Sequence, residues 1–268
     1  MPELPELEVL KFKLTDRIVG LKIDSVKVNQ PLVFRCLLDD FRTTLTGAKF
    51  TKIERRGKFL ILKSNHEKAI VLNLMLSGRL QLTDMKTKVT SKTCFQITFE
   101  SGLELRYFDV KRMGRIYFEA ENGYSNIPQF ADLGAEPLDP EFTYAAFKER
   151  IKKHRGMIKN VITNQRFVAG IGNAYSDEIL FVAGILPLKK ASQLDENGRE
   201  SLYKSIQTVL KDSIRIINKQ IGDDIHLQNR DFMLVHNKGG EPCPVCGTKI
   251  SELKPDGKIT NFCRSCQQ

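Results

Sequence analysis

The 268-residue sequence contains no apolar run approaching the ~20 residues that a bilayer-spanning helix needs, which argues against a membrane protein. It also lacks the basic start and apolar stretch of a secretory signal, because Glu3, Glu6 and Glu8 stand where that stretch would lie. The expected location is therefore cytoplasmic, or nuclear in a eukaryote. No internal repeat and no low-complexity block is present, which excludes a repeat array. Acidic residues are in deficit: 32 Asp and Glu against 42 Lys and Arg leave a net charge of +10. Such a balance suits a polyanion-binding protein, although charge by itself reports attraction and not activity. Cysteine is sparse and unevenly placed. Of six, Cys36 and Cys94 stand alone in apolar, strand-like surroundings and read as small core residues, whereas the other four cluster near the end of the chain.

With 41% hydrophobic and 28% charged residues, the chain has the composition of a soluble globular protein with room for one large domain or two to three small ones. Residues 6 to 20 predict a helix: Leu7, Leu10, Leu14 and Ile18 recur at helical spacing, Pro5 sits near the start, and Gly20 can supply a left-handed stop. From about residue 22 to 120 the pattern is that of strands. It is clearest where Phe95, Ile97 and Phe99 alternate with polar residues before a Ser101-Gly102 turn, and it predicts a sandwich or barrel. Gly134, Pro137 and Pro140 mark residues 134–142 as a linker, after which the pattern becomes helical. The expected domains are residues 1–133, 143–230 and a Cys-rich tail of 231–268, on either side of that linker.

In the tail the spacing is Cys243-x2-Cys246-x16-Cys263-x2-Cys266, two thiolate pairs able to converge on one tetrahedral zinc ion. A segment this short has too little apolar surface to fold without a staple. Two disulfides are the rival reading, and they require an oxidising compartment. Four protein ligands leave no open position, so one structural zinc is expected. The intervening turn offers Lys254 and Lys258 to phosphate, though two lysines on a turn are ordinarily just solvated.

Gly170-x-Gly172 hints at a dinucleotide fingerprint, but position 175 is Tyr and the preceding segment reads as helix, so that interpretation fails. What remains is a helix, a glycine-rich double turn and a second helix from about Ala174 to Gly184. Its first N–H groups, with the Asn173 side chain, can hold a phosphate. The run from Lys148 to Lys159 adds six Lys or Arg against one Glu, a pattern that on its own describes a solvated helix face.

Four stretches in this order, "MPELPE" at the start, "RRGKFLI" at 55–61, "VAGIGN" at 168–173 and the four-Cys finger, resemble the formamidopyrimidine-DNA glycosylase and endonuclease VIII family of base-excision repair enzymes. The resemblance covers nearly the whole chain. It implies an α+β multidomain protein: an N-terminal β-sandwich carrying the first helix, a helix-two-turn-helix domain and a zinc finger, acting as a monomer on double-stranded DNA with oxidised or abasic sites. It implies a bifunctional glycosylase and abasic-site lyase. Once Met1 is removed, the secondary amine of Pro2 is unprotonated in an appreciable fraction at neutral pH. By resemblance it attacks C1′ of the damaged nucleotide, expels the base and forms an iminium link that permits β- and then δ-elimination. Glu3 is then the acid and Glu6 its support. Pro and Glu merely starting a helix would explain Pro5 and Glu6, but not Pro2-Glu3 beside three other matching motifs.

The resemblance further implies that Lys58, which alone would be a surface lysine at a strand end, is the catalytic lysine, and that Lys92, Arg155, Lys159 and Asn173 contact DNA. Leu76, Lys111 and Met113 stand where the formamidopyrimidine branch fills the gap left by a flipped base with Met, Arg and Phe. Lys258 replaces a phosphate-clamping Arg, a point charge for a planar fork. The stretch from 221 to the finger is short for a loop that folds over 8-oxoguanine, which leans towards oxidised pyrimidines or ring-opened purines, or a broad mixture. Two alternatives remain at this level: a catalytically inert relative that binds damaged DNA, and a zinc-ribbon nucleic-acid-binding protein without lyase activity.

Overall fold

The computed structural model describes residues 1–268, the side chain of Asp256 excepted. In chain order the elements are α1 (Leu4–Ile18), β1 (Ile23–Val28), α2 (Leu38–Leu45), β2 (Phe50–Arg56), β3 (Phe59–Ser64), β4 (Lys68–Asn73), β5 (Gly78–Asp84), β6 (Thr93–Phe99), β7 (Leu103–Asp109) and β8 (Arg115–Ala120). They are followed by α3 (Tyr144–Ile151), α4 (Ile158–Thr163), α5 (Asn173–Ala183), α6 (Glu196–Gln220), β9 (Ser251–Leu253) and β10 (Thr260–Phe262). The chain forms two compact units, Met1–Ala131 with Ile217–Gln228, and Asp132–Ile216 with Asn229–Gln268.

The first unit is a β-sandwich. Two four-stranded antiparallel sheets, ordered β1-β6-β7-β5 and β2-β3-β4-β8, remain separate sheets, which decides for a sandwich over a barrel. Alternation sends Phe95, Ile97 and Phe99 of β6 into the core, where they join Leu60 and Leu62 of β3, Ile70 and Leu72 of β4 and Phe118 of β8. Helix α1 adds Leu7, Leu10, Leu14 and Ile18 to the same core, and Gly20 follows it at φ +84°. One stretch departs from the strand pattern: Leu38–Leu45 is a helix, its Leu38, Phe41 and Leu45 at helical spacing and Asp39 and Asp40 in its first turn. Phe41 is fully buried, edge-on to Phe34 and Phe118. The segment Ile217–Gln228 joins this unit through buried Ile225, an Arg17–Asp223 ion pair of 2.6 Å and edge contact of His226 with Phe108.

The second unit is helical and ends in the Cys-rich hairpin. Thr143 caps α3, its hydroxyl accepting the Ala146 N–H at 3.2 Å. Phe147, Ile158, Ile162, Phe167, Tyr175, Ile179, Leu202 and Ile206 are buried at 1% exposure or less. Helix α5 stops at Gly184, φ +70°, a left-handed position that an L side chain seldom takes. The segment 134–142 runs without helix or strand and is tied to this unit by an Ala135–Val168 bridge and an Arg166–Asp132 pair at its edge. Among the described residues no helix is long and apolar enough to cross a membrane.

Candidate active site and metal centre

The first residues of the chain are not a frayed end. Pro2 is buried, Glu3 and Glu6 are 2% and 6% exposed, and Glu6 Oε2 accepts the Glu3 N–H at 2.9 Å. Glu3 is the N-cap of α1, so both carboxylates lie where the unpaired N–H groups and dipole of the helix favour negative charge. The structure includes Met1, which makes the Pro2 nitrogen an amide until it is removed.

Lys58 occupies a two-residue turn between β2 and β3, with Arg56 paired to Phe59 and Gly57 at φ +55°. A positive φ at the first central position only is the II′ signature, which fits strand twist and favours Gly. Arg55 ties this turn to α1: its Nε donates to Glu8 Oε2 at 2.7 Å and its Nη1 to the Gly57 carbonyl at 3.1 Å. Burial works to raise the Glu8 carboxyl, but hydrogen bonds from Lys11 and Arg55 outweigh it and hold the group below its ordinary value.

Leu76, Lys111 and Met113 are brought together by one buried carboxylate. Asp109, fully buried at the end of β7, accepts from the Gly114 N–H at 2.7 Å, the Lys111 N–H at 3.1 Å, the Tyr107 hydroxyl at 3.1 Å and the Ser77 hydroxyl. Ser77 Oγ in turn accepts the Lys111 N–H at 3.0 Å, which braces the two turns against each other. Burial opposes ionisation of Asp109, and these four donors hold it below its ordinary value nonetheless. Both turns are strained, with Met75 at φ +50° and Arg112 at φ +52°. Gly114 permits the crowding, since a Cβ there would lie 1.7 Å from the Tyr107 hydroxyl. The result is that Leu76 and Met113 stand 45% and 40% exposed at the turn tips. Lys92 is exposed beside them, its carbonyl accepting the Asp109 N–H at 3.0 Å.

In the second unit the double turn is wired by Gln165, whose Nε2 donates to the Ile171 carbonyl at 2.6 Å and whose Oε1 accepts the Gly170 N–H at 2.9 Å. Asn173 opens α5; its Nδ2 donates to the Ile259 carbonyl at 2.8 Å, and its Oδ1 is buried without a partner. Arg155 is exposed. Lys159 is not: it is 4% exposed, its ammonium donating to Asp177 Oδ1 at 2.6 Å, Thr260 Oγ1 at 2.8 Å and the Ile259 carbonyl at 3.2 Å. The charge of Lys159 is thus directed inward, clamping α5 to the finger turn. Lys258, two residues before Thr260, is exposed.

Sequence reasoning passed over several residues here. Asp177 also pairs with His236 Nδ1 at 2.8 Å, and Glu178 accepts the N–H groups of Leu234, Val235 and His236 at 2.7 to 2.9 Å. Burial raises the Glu178 carboxyl, those donors acting against it. The one available signal was a pair of adjacent acids inside an otherwise apolar helix, a placement that demands partners.

Cys243, Cys246, Cys263 and Cys266 converge with their sulfur atoms all within 4.8 Å of one another. The Cys243–Cys266 and Cys246–Cys263 separations are 3.8 and 3.4 Å, far beyond a disulfide bond. Four sulfurs at about 2.3 Å around a tetrahedral zinc would stand about 3.8 Å apart, so the donor set fits one structural zinc ion. Phe181, Val235 and Ile250 pack around these cysteines.

Comparison with known proteins agrees along the whole chain. Residues 1–116 match the formamidopyrimidine-DNA glycosylase N-terminal domain, 133–224 its helix-two-turn-helix domain, and 240–268 the zinc finger shared by these glycosylases and isoleucyl-tRNA synthetases. A formamidopyrimidine-DNA glycosylase of Listeria innocua is 33% identical, covering 100% of both chains, and one of Moorella thermoacetica is 36% identical, covering 95% of each. Among solved structures, the Lactococcus lactis enzyme bound to DNA containing an abasic site superposes with a TM-score of 0.90 at 31% identity, over 99% of both chains. A mutant of that enzyme with DNA containing a formamidopyrimidine lesion gives 0.90 at 31% identity over 100% of both.

Proposed function

The chain belongs to the formamidopyrimidine-DNA glycosylase family, and we propose from that premise how its residues divide the work of excising a damaged base and cutting the strand. The protein is a DNA glycosylase of base-excision repair, with the abasic-site lyase activity that is a property of the family. Its lesion is a ring-opened purine in duplex DNA, the chemistry for which its relatives are named, and it works on chromosomal DNA in the cytoplasm of a bacterium-like cell.

Pro2, freed of Met1, is the nucleophile. Its nitrogen bonds to C1′ as the glycosidic bond breaks and the base departs with the electron pair, and the resulting iminium acidifies the sugar for β- and δ-elimination. Glu3 supplies the proton that the leaving base or opening sugar requires, and Glu6 fixes the Pro2-Glu3 peptide through the Glu3 N–H. Lys58 stands on a turn that Arg55 locks to α1, which suits a cation meeting the phosphate of the reacting nucleotide. Leu76, Lys111 and Met113 fill the space of the extruded nucleotide; Met113 wedges without stacking and Lys111 donates without a fork. Lys92, Arg155, Asn173 and Lys258 meet phosphates, and Lys159 acts at one remove by holding the turn that carries Lys258. Cys243, Cys246, Cys263 and Cys266 would hold one zinc ion with no open position, which would brace that turn and supply no chemistry.

The observation that carries this reading is the buried N-terminus, where Pro2, Glu3 and Glu6 are packed and hydrogen-bonded at the place where chains ordinarily fray. Borohydride reduction of the iminium tests it. The processed protein should form a covalent adduct with duplex DNA containing an abasic site, and Pro2→Gly retaining its initiator Met should form none. A processed, zinc-loaded protein that binds such DNA but yields no adduct would be an inert binding relative.

A further inference from the structure

The Glu6 carboxylate has a second partner, brought from 222 residues away. Gln228 Nε2 donates to Glu6 Oε1 at 3.1 Å, and Gln228 Oε1 accepts from Arg79 Nη2 at 2.7 Å. Arg79, at the start of β5, also donates through Nη1 to the Gly78 carbonyl at 2.8 Å. The orientation of the Gln228 amide is therefore dictated on both sides: a guanidinium can only donate, so it must meet the oxygen, and an ionised carboxylate can only accept, so it must meet the nitrogen. We propose that Gln228 is a positioning residue for the N-terminal nucleophile, acting through Glu6 as a neutral adapter between Arg79 and the carboxylate that grips the Pro2-Glu3 peptide.

The physical route is short. A peptide unit is planar, so a hydrogen bond fixed at the Glu3 N–H fixes the plane that joins Glu3 to Pro2. Glu6 holds that N–H with one oxygen while Gln228 holds the other, which leaves the carboxylate little freedom to rotate away. Small changes of angle here become displacements of the attacking nitrogen, and attack geometry is sensitive on the ångström scale. The amide itself adds no charge to Glu6: it donates one hydrogen bond to the carboxylate and accepts the Arg79 guanidinium on its other side. The segment bearing Gln228 is itself anchored on the same unit by Ile225, Asp223 and His226, so the amide is presented from a fixed support.

This inference rests on Pro2 as the nucleophile, and the experiment separates the two. The single-turnover rate constant of borohydride trapping on abasic duplex is compared with the dissociation constant for a duplex carrying a tetrahydrofuran abasic analogue, which cannot form the iminium. Gln228→Glu keeps size and the Arg79 contact while replacing the donor with a like charge; it should slow trapping by about tenfold or more and change the dissociation constant by less than about twofold. Gln228→Ala should act in the same direction, and Arg79→Met combined with it should be no slower than Gln228→Ala alone, because the arginine acts through the amide. Trapping by Gln228→Glu and Gln228→Ala at the wild-type rate, or losses confined to DNA affinity or additive with Arg79→Met, would overturn the proposal while leaving Pro2 in place. Absence of any adduct with the processed wild-type protein would instead overturn the reading of Pro2.

Discussion

Replacing Asp109 with Asn is the most informative single perturbation of the sandwich, because shape is kept and only the pattern of acceptors changes. Oδ1 of Asp109 faces Ser77 and the Lys111 N–H, and Oδ2 faces Tyr107 and the Gly114 N–H. A hydroxyl can turn and accept, but a backbone N–H cannot, so whichever way the Asn amide points it sets its NH2 against one backbone donor. Losing one or two hydrogen bonds to a charged acceptor in a buried place costs about 2–4 kcal/mol. For a domain of this size each kcal/mol shifts the melting temperature by about 2–4 °C, so a fall of about 4–16 °C is expected by differential scanning fluorimetry. The pH dependence fixes the cause. The folded carboxyl of Asp109 lies below its unfolded value of 3.8, so its stabilisation is fully present above that value and is lost as pH falls through the folded one. The gap between wild type and Asp109→Asn should therefore be constant near neutrality and close in acid. With the brace between its turns weakened, the variant should also discriminate less between bases opposite the lesion. A variant that melts within about 1 °C of wild type, or a gap that does not narrow in acid, would refute the role assigned to this carboxylate.

Lys58→Ala should slow base release and trapping by about 10²–10⁴-fold, read from single-turnover cleavage of a lesion duplex, and the loss should exceed any change in the dissociation constant for the same duplex. Lys159→Met should do the reverse of an ordinary surface change: removing the ammonium from buried Asp177, which then keeps the His236 contact, costs about 3–5 kcal/mol, seen as a lower melting temperature together with weaker DNA binding. Elemental analysis should find one zinc per chain, and its removal by a chelator should expose residues 240–268 to protease and abolish DNA binding; a metal-free protein with unchanged protease resistance would show that the cysteines are not a metal site.

What the sequence made legible was whatever is written in local periodicity or spacing. Leu7, Leu10, Leu14 and Ile18 announced α1, Phe95, Ile97 and Phe99 announced β6, Gly184 ended α5 where expected, and the cysteine spacing announced the finger. Helix α2 was lost because its period occupies only eight residues inside a region of strands. The resemblance places Lys159 among the DNA contacts and the sequence places it in a basic run, but Ile158, Val161 and Ile162 bury the same short helix, and the tertiary partner Asp177 makes an inward ammonium tolerable. Asp109 and Gln228 carried no signal, and Glu178 only that of an acid beside Asp177 in a largely apolar helix, since their partners, up to 222 positions away, are assembled only by the folded chain.

Those hidden residues share a physical logic. Three segments are each held by a buried carboxylate that accepts backbone N–H groups: Glu6 holds the Pro2-Glu3 peptide, Asp109 the turns of Leu76 and Met113, and Glu178 the bend at Leu234 to His236. A protein that must attract a polyanion cannot leave acids on those loops without weakening its own field. Burying the acids and dispersing their charge over several amide donors removes that repulsion, and it yields stronger, shorter-range tethers than neutral hydrogen bonds would. The net charge of +10 and the holding of these segments go together: the acids that shape them, Glu6, Asp109 and Glu178, are turned in and do not oppose the basic surface.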